Sequence, residues 1–229
     1  MGDDPIVYLV PVGSGRFELY SEPPDDVAPG GPPSDRDGFW RRLAHRAHER
    51  WRQAAHAASG QDESAGRLAR ARDWMVRRIA ESIAEQRTLW SLQGAMSASF
   101  VHPTDVSEIS AAAVRARMLA HARRYHGWWL VINVAGVAAT AILALLPGPN
   151  LFAYYFAFRA VGHGLSWRGA CHALDRTSWR ARAEPALAEL GRLAHLPRAE
   201  REARVADIAA GLHLPRLAAL FDRAAVPAR

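Results

Sequence analysis

The residues best placed to do chemistry lie in one apolar stretch, LFAYYFAFRAVGHGLSW, from Leu151 to Trp167. Tyr155, Arg159 and His163 recur there at intervals of four, so on a helix they share one face. An arginine in apolar surroundings is costly and marks a functional position, unless it snorkels or bonds nearby backbone carbonyls. Histidine changes charge near neutral pH, so the three residues suggest a stripe that senses a proton or an anion. Just upstream, Pro147-Gly148-Pro149-Asn150 interrupts any helix. The N–H groups of a helix starting after Asn150 would attract anions or carbonyls, and capping by Asn150 accounts for the same residues. Before this break Asn133, Gly136 and Thr140 share a second helix face, where small residues let helices approach and asparagine can bond across.

Other chemistries lack the residues they need. No acid occurs between Glu108 and Asp175, so the apolar region offers no carboxylate to a cation. There is no nucleophile elbow, since Gly164-Leu165-Ser166-Trp167-Arg168-Gly169 has the wrong spacing, and no phosphate-binding loop or dinucleotide fingerprint. His45, His48 and Glu49 sit among arginines and read as a solvated face. Cys171 is the single cysteine, and its neighbour His172 makes no nucleophile–base pair by adjacency alone. No enzymatic activity, cofactor or metal is expected.

The elements that must carry the stripe follow from hydropathy. Trp128 to Leu146 is nineteen residues without a formal charge, about 28 Å as a helix against a hydrocarbon core of about 30 Å. With Leu151–Trp167 it reads as a transmembrane or re-entrant helical hairpin turning at Pro147-Gly148-Pro149-Asn150. Arginines 115, 117, 123 and 124 precede the hairpin and arginines 168, 176, 180 and 182 follow it, which puts both ends, and both termini, on the cytoplasmic side of a bacterial inner membrane. Upstream, Ile6–Val12 and Arg16–Ser21 alternate around Gly13-Ser14-Gly15 as a β-hairpin. A linker rich in proline, glycine and aspartate runs from Glu22 to Asp37. Residues 39–58 and 65–92 have helical spacing and suggest a pair of basic helices, and residues 94–102 read as irregular. The tail suggests three short helices over 178–195, 198–211 and 215–224, with Pro197 and Pro215 at helix starts.

Four segments result: 1–37, hairpin and linker; 38–102, basic helical pair; 103–173, a helix leading into the membrane hairpin; 174–229, short helices. The expected class is a mainly α-helical membrane protein with a small N-terminal β-hairpin. The formal charge of +6 hides an asymmetry, since residues 1–37 hold eight acids against two arginines and residues 38–102 hold eleven arginines against six acids. All 29 basic residues are arginine. A basic body following an acidic start suits a lipid bilayer, anionic lipid in particular, and nucleic acid is the less expected partner.

Three stretches together resemble one family: IVYLVPVGSGRFELYSEPPDD, LLPGPNLFAYYFAFRAVGHGLSWRGA and ADIAAGLHLPRLAALFDRAA. The set is similar to the mitochondrial K+/H+ exchange-related proteins, a family with bacterial members. The Pro-Gly-Pro-Asn string alone also resembles exporters of the lysine-exporter type, but two spans fall short of the six of that pattern. The resemblance implies a part in potassium–proton exchange. It carries over Pro147, Gly148, Pro149, Asn150, Tyr155 and Arg159, with Glu22, Pro23 and Pro24 from the N-terminal motif. Two short spans without a carboxylate favour an accessory or homo-oligomeric component, with potassium and protons as its ions. The alternative is a non-transporting membrane anchor whose arginine-rich helices bind a protein partner or anionic lipid.

Overall fold

The computed structural model describes residues 4–22, 88–141 and 151–225. They fall into two compact units, each discontinuous in sequence; the first takes in the described residues up to 22, 88–125 and 166–225, the second residues 126–141 and 151–165.

A four-stranded sheet organises the first unit. Strands β1 (Ile6–Gly13) and β2 (Arg16–Tyr20) form the expected antiparallel hairpin, with Tyr8 opposite Tyr20 and Val10 opposite Glu18. Its turn carries three successive positive φ values, 90° at Gly13, 52° at Ser14 and 68° at Gly15, which the two glycines adopt without strain. β1 also pairs in parallel with β3 (Ser97–Pro103), and β3 in parallel with β4 (Ser178–Glu184), giving the order β2-β1-β3-β4. A parallel pair needs a long crossover, here helices α1 (Glu108–Ala141) and α2 (Leu151–Asp175).

Both faces of β1 are covered, so burial does not alternate along it. Val7 and Leu9 face a core with Leu92, Phe100, Ala111, Leu119 and Ala170. Tyr8, Val10 and Val12 face another, with Leu187, Leu190, Val205, Leu217 and Phe221 from α3 (Pro185–Leu193), α4 (Arg198–Gly211) and α5 (Leu217–Ala224). Pro185 opens α3 and the Glu184 side chain accepts from the Ala186 N–H.

In the second unit the described parts of α1 and α2 lie antiparallel, since neighbours run in opposite order: Gly136 against Phe156, Leu130 against Gly164, His126 against His163. A Cβ on Gly136 would come within 2.6 Å of the Phe156 ring, so the glycine is what admits that ring.

Several expectations are corrected. The fold is a mixed sheet with helices, not a mainly helical membrane protein. No described helix is long and apolar enough to cross a membrane, so the membrane and transmembrane assignments fall. The reason is where the charge sits. α1 spends its first half on Arg115, Arg117, Arg123 and Arg124, and its described apolar part, Trp128–Ala141, rises only about 21 Å. α2 is interrupted by Arg159, His163 and Arg168. Residues 142–150, with the turn Pro147-Gly148-Pro149-Asn150, lie outside the described residues, as do Pro23, Pro24 and nearly all of the basic helices 39–92. The irregular segment 94–102 contains β3, and the first tail helix is split into β4 and α3.

Candidate functional site

The second unit gathers its polar groups in one place. His126 on α1 and His163 on α2 are 8% and 3% exposed, and their Nδ1 atoms are 2.9 Å apart. Arg159, one turn before His163, brings Nη2 to 3.2 Å from His163 Nε2. Trp129 stacks on the His163 ring, with centroids 6.2 Å apart and planes 18° from parallel. The Arg159 guanidinium also lies 5.9 Å from the Tyr155 ring centroid. Helical spacing explains the α2 contacts, for residues four apart are neighbours on one face.

These contacts fix the protons. A guanidinium only donates, so His163 Nε2 accepts from Arg159 and bears no hydrogen. A neutral ring must then carry its hydrogen on Nδ1, and that N–H donates to His126 Nδ1. His126 in turn holds its hydrogen on Nε2. Both imidazoles are therefore neutral in this arrangement. Burial, reinforced by His126 and by the charge of Arg159, pushes the His163 pKa down to about 4.

The arrangement handles protons better than metals. A metal ion would need the lone pairs that the Arg159 and His163 N–H groups occupy, and it would meet the positive charge of Arg159. Among the described residues no group of three or more metal-ligating side chains assembles. A proton arriving at His163 Nε2 would displace the Arg159 contact, and one arriving at His126 Nδ1 would break the link between the helices.

Of the residues marked by sequence, Tyr155, Arg159 and His163 come together as one stripe. Asn133 and Thr140 are buried but bond within their own helix: Asn133 Nδ2 donates to the Trp129 carbonyl at 2.6 Å, and Thr140 Oγ1 donates to the Gly136 carbonyl at 2.8 Å. Glu22 lies elsewhere, in the first unit, where its carboxylate accepts from the Tyr20 hydroxyl and from the Arg216 N–H and so ties the end of β2 to the approach to α5. The Tyr20 hydroxyl is correspondingly held protonated, first by burial and then by that carboxylate. His126 was missed. It follows four arginines in eleven residues and reads as part of a solvated basic run, although its position two residues before Trp128 puts it at the edge of the apolar stretch.

No curated protein and no solved structure matches the chain. The family described as mitochondrial K+-H+ exchange-related matches residues 7–176. That range takes in β1–β3, both long helices and the whole histidine–arginine cluster, more than two thirds of the sequence, and the chain belongs to this family.

Proposed function

We propose that the chain serves potassium–proton exchange as an accessory component rather than as the ion path, with the His126–His163–Arg159 cluster as the part that answers to protons. The supporting observation is the charge of the second unit. Among its described residues Arg159 carries the one formal charge and no carboxylate is present. Cation paths are lined by carboxylates or exposed carbonyls, and the half-buried Arg159 repels a cation at this site. Acid has a direct route to conformation instead, because each protonation open to the histidine pair removes a contact that holds the cluster. An ion-conducting partner, or further copies of the chain, would supply the path.

Proteoliposomes containing the purified chain alone are expected to show no potassium-dependent proton flux. Membrane vesicles from cells lacking the chain are expected to lose part of the flux measured when it is present. Flux from the purified chain would overturn the accessory role, and equal flux with and without the chain would remove it from exchange altogether.

A further inference from the structure

The sheet ends at β4, whose outer backbone groups have no neighbouring strand among the described residues. Such an edge is a template for another strand. One face of β4 presents Arg180 and Arg182, with side chains 73% and 65% exposed. Arg180 meets the carboxylate of Asp4 at 3.4 Å and Arg182 that of Glu184, which also caps α3, at 3.6 Å; with both guanidinium groups so exposed, these contacts are weak. The other face presents Trp179, Ala181 and Ala183. Over it lies Arg115 from α1, its guanidinium 4.3 Å from the Trp179 ring centroid and 4.5 Å from that of Phe100. Those contacts hold the guanidinium flat and leave its N–H edge without a carboxylate or carbonyl partner among the described residues.

Arginine therefore stands on both faces of this edge strand. The small side chains of Ala181 and Ala183 leave space on the Arg115 face for a larger residue of an incoming strand. A second copy of β4 is a poor occupant. Antiparallel pairing about Ala181 sets Arg180 opposite Arg182 in both directions, and directly opposed like charges destabilise a ladder; pairing about Arg182 opposes that arginine to its own copy, although it brings Arg180 to Glu184. We infer that the β4 edge docks an extended acidic peptide segment of a partner protein, which adds a strand to the sheet and places carboxylates on Arg180, Arg182 and Arg115. Backbone pairing would supply affinity and the alternating carboxylates would supply selectivity.

The inference does not depend on the exchange role. Its test uses the full chain and a fluorescein-labelled peptide alternating glutamate with valine. Saturable binding is expected, weakening about tenfold between low and high salt as exposed charges are screened. N-methylation of alternate peptide amides should weaken binding about tenfold by removing ladder bonds, and a lysine–valine peptide should not bind. Arg182→Glu should weaken binding, as should Arg115→Gln; Arg182 is exposed, so its variant tests the surface even if the Arg115 variant misfolds. Equal binding of the N-methylated peptide would reduce the contact to charge alone and overturn strand addition. Absence of saturable binding, or a dimer in sedimentation that Arg182→Pro abolishes, would overturn the partner assignment.

Discussion

His163 gives the sharpest single-residue expectation. The unfolded chain takes up a proton on this histidine near pH 6.5, whereas the folded ring resists it down to about 4. Folding stability is then full above about pH 6.5 and falls as pH drops from there to about 4, by an amount on the order of 3 kcal/mol. His163→Gln should flatten that part of a curve of melting temperature against pH; an unchanged slope would mean that other groups set it. Arg201 makes a different case. It is 3% exposed, and its Nη1 donates to the Ala194 and Leu196 carbonyls at 3.3 Å each while the guanidinium rests 5.3 Å from the Phe221 ring centroid. Arg201→Met should cost about 2–4 kcal/mol in urea unfolding, because two carbonyls at the end of α3 lose their donor and Asp222 loses a buried partner. The sequence marked Tyr155, Arg159 and His163 because spacing on a single helix is enough to group them. It marked neither Arg201 nor His126: Arg201 is covered by Phe221 and Asp222 of another helix, and the His126 partner, His163, lies 37 residues away.

Elements meet where glycine lets them. A Cβ on Gly169 in α2 would lie 1.9 Å from the Leu89 carbonyl oxygen, a clash with backbone that no rotamer change relieves. Nearby the Trp90 Nε1 donates to Ser166 Oγ at 2.9 Å, fixing the same approach. Gly169→Ala should destabilise by about 2–3 kcal/mol, while Gly211→Ala, with nothing within 4 Å, should be neutral or slightly stabilising in the same chemical-denaturation assay. Hairpin β1–β2 was legible from alternation around a glycine turn, and α4 from its proline start and glycine end. β4 was not. Its Ala and Arg residues are good helix formers, and what makes SWRARAE a strand is the partner β3, seven residues in register from Ser97–Ser178 to Pro103–Glu184. β3 was hidden for the same reason, since SASFVHP lacks the alternation of a strand with one wet face.

At the scale of the whole chain the first unit is assembled from three separated stretches, and β1 lies inside its sheet rather than at an edge. Removal of residues 1–22 should therefore unfold α3–α5 as well as the sheet, read as loss of helical circular dichroism and rapid proteolysis after the α4 arginines. Retention of a protected C-terminal fragment would contradict this. The membrane reading failed at this scale: local hydropathy joined Trp128–Leu146 and Leu151–Trp167 into a hairpin. The described helices instead divide their lengths between a basic part packed on a sheet and an apolar part that closes on a histidine pair. The parallel β3–β4 pair has a further consequence for how the chain is made. During synthesis β1 has only β2 beside it until residue 103 has emerged, and β3 waits for residue 184. At about 5–20 residues per second the ribosome needs roughly 8–30 s between finishing β2 and finishing β4. In the first part of that interval Val7 and Leu9, and in the second part Phe100, belong to a strand with an unsatisfied side, so the nascent chain stays exposed to misassociation until late in its translation, and a holding chaperone would find its substrate there.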